Sequence, residues 1–173
     1  MKILKKILIG LAAFIALLLL IAVFLPTRYT VSVSTTINKP QKEVYEYVKL
    51  IKNQEHYSVW VMEDPKIIMT YTGTDGTVGF LAHWTSEKMG EGEQQITKVD
   101  GERVDVDLRF KGHDNEQKAA TITKALSENQ TQVTSEFYGY NPYPTNLICF
   151  VGKMFIEDAQ TKNMANLKAI LEK

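Results

Sequence analysis

The sequence is short of the residue types that most often carry chemistry. Among its 173 residues there is one cysteine, Cys149. A single thiol excludes an intramolecular disulfide and a four-thiolate metal site. The three histidines, His56, His83 and His113, are dispersed. No two of them have the His-x-x-x-His spacing that would put both imidazoles on one helix face. No metal and no cofactor is therefore expected. Five prolines and no Gly/Ser-rich stretch leave nothing resembling a flexible linker. Net charge is missing as well, because 20 Lys+Arg balance 20 Asp+Glu. A chain without a basic surplus is a poor phosphate binder, so nucleic acid is not an expected partner.

What the sequence has in excess is concentrated at one end. Residues 7–25, ILIGLAAFIALLLLIAVFL, contain no charged side chain. As a helix, that run spans roughly 28 Å, the thickness of a bilayer's hydrocarbon core. It satisfies its own backbone hydrogen bonds, as a lipid-crossing segment must. The alternative is a signal peptide, whose apolar region is shorter and ends in a small-x-small cleavage site. Val23-Phe24-Leu25-Pro26 is a poor cleavage site, so 7–25 is read as an uncleaved transmembrane anchor and 1–6 as a short tail. Lys2, Lys5 and Lys6 precede the run and Arg28 follows it. The positive-inside bias then keeps the tail in the cytoplasm and the bulk of the chain outside. Beyond residue 25 the chain carries 17 basic and 20 acidic residues, a net charge of −3.

From residue 29 the pattern changes. Tyr29, Val31 and Val33 alternate with Thr30, Ser32 and Ser34, which predicts a strand. Val44, Tyr47, Val48 and Ile51 follow at helical spacing, and 53–60 reads as a second short helix or turn. Period two then returns over 66–71, 77–85, 91–99, 103–111, 116–126 and 131–140, with turn signals between. Short connections imply antiparallel neighbours. In 103–111, Val104, Val106, Leu108 and Phe110 share one face, and Arg103, Asp105, Asp107, Arg109 and Lys111 share the other. A long helical region begins near Asn146, with Met154, Phe155, Ile156, Met164, Leu167, Ile170 and Leu171 as its apolar stripe and Gly152 as a potential break. The predicted class is α+β: a curved antiparallel sheet of about seven strands wrapped around a long C-terminal helix.

That order, with INKPQKEVYEYVKLIKN at 37–53, GEGEQQIT at 90–97, GYNPYPTNLI at 139–148 and NMANLKAILEK at 163–173, resembles the START/polyketide cyclase-like (SRPBCC, helix-grip) superfamily. In particular it resembles the membrane-anchored bacterial branch, where an apolar helix runs straight into the first strand. The resemblance covers about 28–173. It implies a helix-grip ligand-binding domain on the periplasmic or extracellular side of a bacterial cytoplasmic membrane. Function is less constrained, since one fold hosts carriers, cyclases and hydrolases.

No catalytic constellation emerges from the residues themselves. Glu91/Glu93 and Asp105/Asp107 are i, i+2 pairs on a strand face with basic neighbours, the pattern of a solvated sheet surface. Gly90-x-Gly92 opens no helix, so it is not a phosphate loop; it is expected to allow strand curvature or a bulge. The remaining signal is aromatic and soft, and an apolar pocket with few polar groups is the default ligand site. The expected cavity lining is Trp60, Phe80, Trp84, Gln94, Val106, Leu108, Phe110, Ser135, Phe137, Tyr143, Phe150 and Met154. Three functions stay open, in this order. The first is a membrane-anchored binder of a lipid or apolar small molecule. The second is an envelope protein-interaction module with a filled core, its partner unspecified. The third is an enzyme on the same cavity.

Overall fold

The computed structural model describes residues 2–113 and 115–173, the side chain of Phe150 excepted. An apolar helix α1 (Lys2–Phe24) leads into strand β1 (Arg28–Ile37). Helix α2 (Gln41–Val48), a 3-10 turn (Ile51–Asn53) and two single-turn helices, α3 (Gln54–Tyr57) and α4 (Val59–Met62), follow. Six strands come next: β2 (Ile68–Thr72), β3 (Leu81–Ser86), β4 (Gly90–Val99), β5 (Arg103–Phe110), β6 (Gln117–Ser127) and β7 (Gln130–Tyr140). A second 3-10 turn (Thr145–Ile148) precedes the last helix, α5 (Cys149–Leu171).

The strands form one antiparallel sheet in the order β1-β7-β6-β5-β4-β3-β2, so everything after β2 is a meander and β1 closes onto the last strand. The β4–β5 turn has a visible cause. Asp100 Oδ1 accepts from the amides of Glu102 (3.1 Å) and Arg103 (2.8 Å), while Gly101 takes a positive φ. The alternation expected of β5 holds. Val104 and Val106 are buried, while Arg103 pairs with Asp105 and Arg109 with Glu93 and Glu116 on the outer face. Such half-exposed pairs contribute little stability individually, about 0–1 kcal/mol.

Three expectations need correction. Strand β3 starts at Leu81, because Thr77–Val78–Gly79 form a turn in which Gly79 has φ +91°. Val78 is consequently exposed. Helix α5 runs unbroken through Gly152, whose missing Cβ would meet only the Tyr29 hydroxyl at an ordinary 3.6 Å. Gly92 is not at a bulge either; the register shift in β4 falls between Ile96 and Lys98. Its role is to bring neighbours together. Gly92 pairs with Trp84 on one side and Phe110 on the other, and those rings meet edge-on at 5.6 Å across it. A Cβ there would lie 2.4 Å from the Trp84 ring and 2.6 Å from the Arg109 carbonyl oxygen.

Two apolar clusters hold the layers together. One joins Ile37 and Val133 of the sheet to Val44 and Val48 of α2 and Met164 and Leu167 of α5. The other gathers Tyr45, Ile51, Phe80, Ala82, Ile96, Val104 and Val106. Polar pins fix the helices over them. Gln41 Nε2 donates to the Gly101 carbonyl and Thr123 Oγ1, both at 2.9 Å. Asp75 accepts from the Ile51 and Lys52 amides.

Gly92→Ala tests the close approach. Because backbone cannot move as a flexible side chain would, the substitution is expected to lower stability by about 1–3 kcal/mol, as overpacking does. Urea unfolding measures it; an unchanged midpoint would contradict the placement of the Trp84 ring.

Candidate functional site

Between α5 and the middle of the sheet lies a cavity of about 550 Å³, within the range of small-molecule sites. Its floor comes from consecutive strands: Trp84 on β3, Gln94 on β4, Val104, Val106, Leu108 and Phe110 on β5, Ala120 on β6, Ser135 and Phe137 on β7. Strand alternation explains why β5 contributes four residues at i, i+2 spacing. The roof is Trp60 and its neighbours around α4, together with Phe155, Ile156, Gln160, Asn163 and Met164 on α5. The exposed members of the lining are Glu63, Lys88 and Phe155, so the cavity opens on that side.

Polar groups inside are few and mostly occupied. Gln94 Nε2 donates to Gln54 Oε1 at 2.8 Å, and the Ser135 hydroxyl donates to Gln160 Oε1 at 2.7 Å. Asn163 Oδ1 accepts from the Val59 amide at 2.8 Å, tying α5 to the start of α4. Lys88 Nζ donates to the Glu63 carbonyl oxygen at the rim. The Trp84 indole N–H is buried without an acceptor. Burial raises the pKa of the Tyr57 phenol further above its ordinary value. Among the described residues no group of three His, Cys, Asp or Glu side chains could hold a metal ion.

Of the residues expected here, Trp60, Trp84, Gln94, Val106, Leu108, Phe110, Ser135 and Phe137 do border the cavity. Three others lie elsewhere. Phe80 is 1% exposed but stacks on Tyr71 at 5.8 Å in the cluster with Tyr45 and Ile51, because it precedes β3 by one residue. Tyr143 sits half exposed beside Ala22 and Leu25, next to the end of α1. Met154 is 58% exposed. Three successive apolar residues sweep just over half a helical turn, so Met154, Phe155 and Ile156 could not all face inward; Ile156, with Ala159, Asn163 and Leu167, sets the buried face. The Phe150 side chain lies outside the described residues.

The reading from sequence missed Gln54, Gln160 and Asn163. The available signal was Gln160 and Asn163 lying at i, i+3 to each other and at i−4 to Met164 and Leu167, polar groups on an otherwise apolar face. It also missed Asn146, which is buried and whose Nδ2 donates to the carbonyls of Ala22 (2.7 Å) and Leu25 (3.0 Å). The Ala22 carbonyl, in the last turn of α1, also accepts from the Leu25 amide at 3.3 Å, and the Asn141 amide, bonded to Thr27 O at 2.9 Å, completes the joint. His83 pairs with Glu91 on the outer face and His56 and His113 are exposed, so the histidines do not converge.

Near the opening, Asp64 fastens the segment after α4 to the β3–β4 turn. Its Oδ2 accepts from Ser86 Oγ at 2.5 Å and its Oδ1 from the Lys66 amide at 3.1 Å. The Ser86 bond, foremost, holds the Asp64 carboxyl below the usual range. Asp100, bonded to Lys98, is held at about 2. A depressed folded-state pKa contributes stability that is present above the unfolded value and lost as pH falls through the folded one. Thermal stability should therefore decline between roughly pH 4 and pH 2. The double variant Asp64→Asn/Asp100→Asn should start less stable and show a shallower decline; an equally steep one would overturn the assignment.

No protein-family model and no curated protein matches the chain. Solved structures do. Norcoclaurine synthase from Thalictrum flavum, in complex with dopamine and hydroxybenzaldehyde, aligns with a TM-score of 0.65 at 11% identity, covering 86% of this chain and 88% of that one. Protein CV1439 from Chromobacterium violaceum aligns at 0.57 and 14% identity, with 83% and 97% covered. Ara h 8.0201 aligns at 0.56 and 10% identity, again with 83% and 97% covered. At such identities the likeness speaks for architecture, and with the seven-stranded meander and the long terminal helix it gives one conclusion: the chain has a helix-grip fold.

Proposed function

We propose that the chain is a membrane-anchored binding domain for a hydrophobic small molecule or lipid. In this reading residues 7–25 anchor it in a bacterial cytoplasmic membrane with the N-terminus inside. Residues 28–173 form the binding unit on the periplasmic or extracellular side. The observation that carries the proposal is the cavity of about 550 Å³ between sheet and α5. The cavity opens beside Glu63, Lys88 and Phe155, so a guest can enter it and take its apolar walls out of water. A module that needed only its outer surface would gain nothing from such a space. The cavity favours this reading over that of an interaction module with a filled core.

The lining also indicates the ligand's character. Glu63 and Lys88 are the charged members, and both sit at the opening. Deeper in, the polar groups are uncharged, and Gln94 and Ser135 are already paired with Gln54 and Gln160. An uncharged, mostly apolar body suits those walls, and burial at ~25 cal/mol per Å² supplies its affinity. Among proteins of similar fold, norcoclaurine synthase in complex with dopamine and hydroxybenzaldehyde demonstrates that the architecture accommodates small aromatic molecules. Anchoring is supported by α1, a 23-residue helix long and apolar enough to cross a bilayer, with almost none of it buried against the domain.

Native mass spectrometry of the full chain extracted in mild detergent tests the proposal. A stoichiometric adduct that exchanges with added lipid extract is expected for the unmodified chain. Leu108→Trp, which puts an indole into the cavity, should reduce uptake several-fold while the protein still melts cooperatively. A bare mass with no uptake from the extract would overturn the binding reading.

A further inference from the structure

The outward side of α5 changes character along its length. Ile148, just before the helix, and Val151, Met154 and Phe155 recur at i, i+3, i+6 and i+7, which puts them on one stripe. All four are exposed, Val151 at 68% and Phe155 at 63%. Continued along the helix, the same stripe carries Asp158, Thr161 and Lys162, also exposed, with Lys162 Nζ on Asp158 Oδ2 at 2.7 Å. That stripe is thus apolar for the first two turns, with exposed Lys153 off to its side, and polar beyond them. Single exposed apolar residues are ordinary, but a contiguous set ending abruptly marks a contact surface.

The position of that set supplies its partner. Asn146, two residues before Ile148, holds the carbonyls of Ala22 and Leu25 at the end of α1. The apolar turns are therefore the ones beside the apolar helix, and the polar turns lie farther away. Phe155 has a second contact, meeting Trp60 edge-on at 5.2 Å where both line the cavity.

We propose that Ile148, Val151, Met154 and Phe155, flanked by Trp60, rest in the interfacial layer of the same bilayer that holds α1. They seat the opening of the cavity on the lipid surface. The inference rests on the membrane-anchored reading and adds to it a contact face and a route for the ligand. Aliphatic side chains enter the boundary between headgroups and acyl chains, and an indole suits the headgroup level. Asp158 and Lys162 set the depth, since both carry charges that stay in water. A lipid leaving the leaflet would meet Phe155 and Trp60 first, without crossing the aqueous phase.

The test uses the full chain reconstituted into vesicles of phosphatidylethanolamine and phosphatidylglycerol. In a Cys149→Ser background, an environment-sensitive fluorophore is attached through Val151→Cys, Phe155→Cys or Thr161→Cys, and brominated lipids serve as quenchers. Labels at 151 and 155 should emit to the blue of the label at 161 and lose intensity with brominated lipid, while 161 is unaffected. If the chain floats with vesicles but all three labels report water, the docking face is overturned and the anchor stands. Blue-shifted labels at 151 and 155 that brominated lipid does not quench would mean that protein covers the stripe, which also overturns it. Failure to float with the vesicles would remove both readings together.

Discussion

A width mismatch governs this molecule. Seven strands at ~4.8 Å spacing make a face roughly 29 Å across, whereas one helix with its side chains covers only about 10–12 Å. α5 lies chiefly along β1, at one side of the sheet, and α2 packs near β6 and β7. The short helices α3 and α4 reach partway over the rest. The inner faces of β3 to β7 are left as walls. The cavity is the space that four short or narrow elements cannot fill.

The same mismatch explains where polar residues are tolerated. A buried amide without a partner is costly, and the wall amides are matched across the gap: Gln94 with Gln54, Gln160 with Ser135, Asn163 with the backbone of Val59. These bonds run between sheet and helices or between helices. They hold the layers apart at a fixed separation while apolar clusters on either side pull them together. A wholly apolar interface would have less to stop the helices from settling onto the sheet.

Much of this was readable because half-buried strands carry a strict period. β5 showed its two faces through Val104, Val106 and Leu108 against Arg103, Asp105 and Asp107, and the structure keeps both. Legibility failed where the backbone left that period. Gly79, at positive φ, turned a presumed strand start into a turn and moved Phe80 out of the cavity's reach. It failed again where local composition allowed several faces, as at Met154-Phe155-Ile156, because which of three adjacent apolar residues turns inward is decided by distant neighbours. Gln54 and Asn146 were invisible for a related reason. A polar residue in a loop or short helix looks solvent-bound until the chain that folds over it is known. Asn146 meets Ala22 from 124 positions away.

The indoles have a practical consequence. The chain has two tryptophans, Trp60 and Trp84, and both border the same cavity, one in the roof and one in the floor. Its indole emission therefore originates at opposite walls of a single space, with no third indole elsewhere to dilute it. A guest that dried, polarised or displaced either wall would change the colour of the protein's own light. The molecule is, in effect, a label-free optical gauge of whatever the cavity holds.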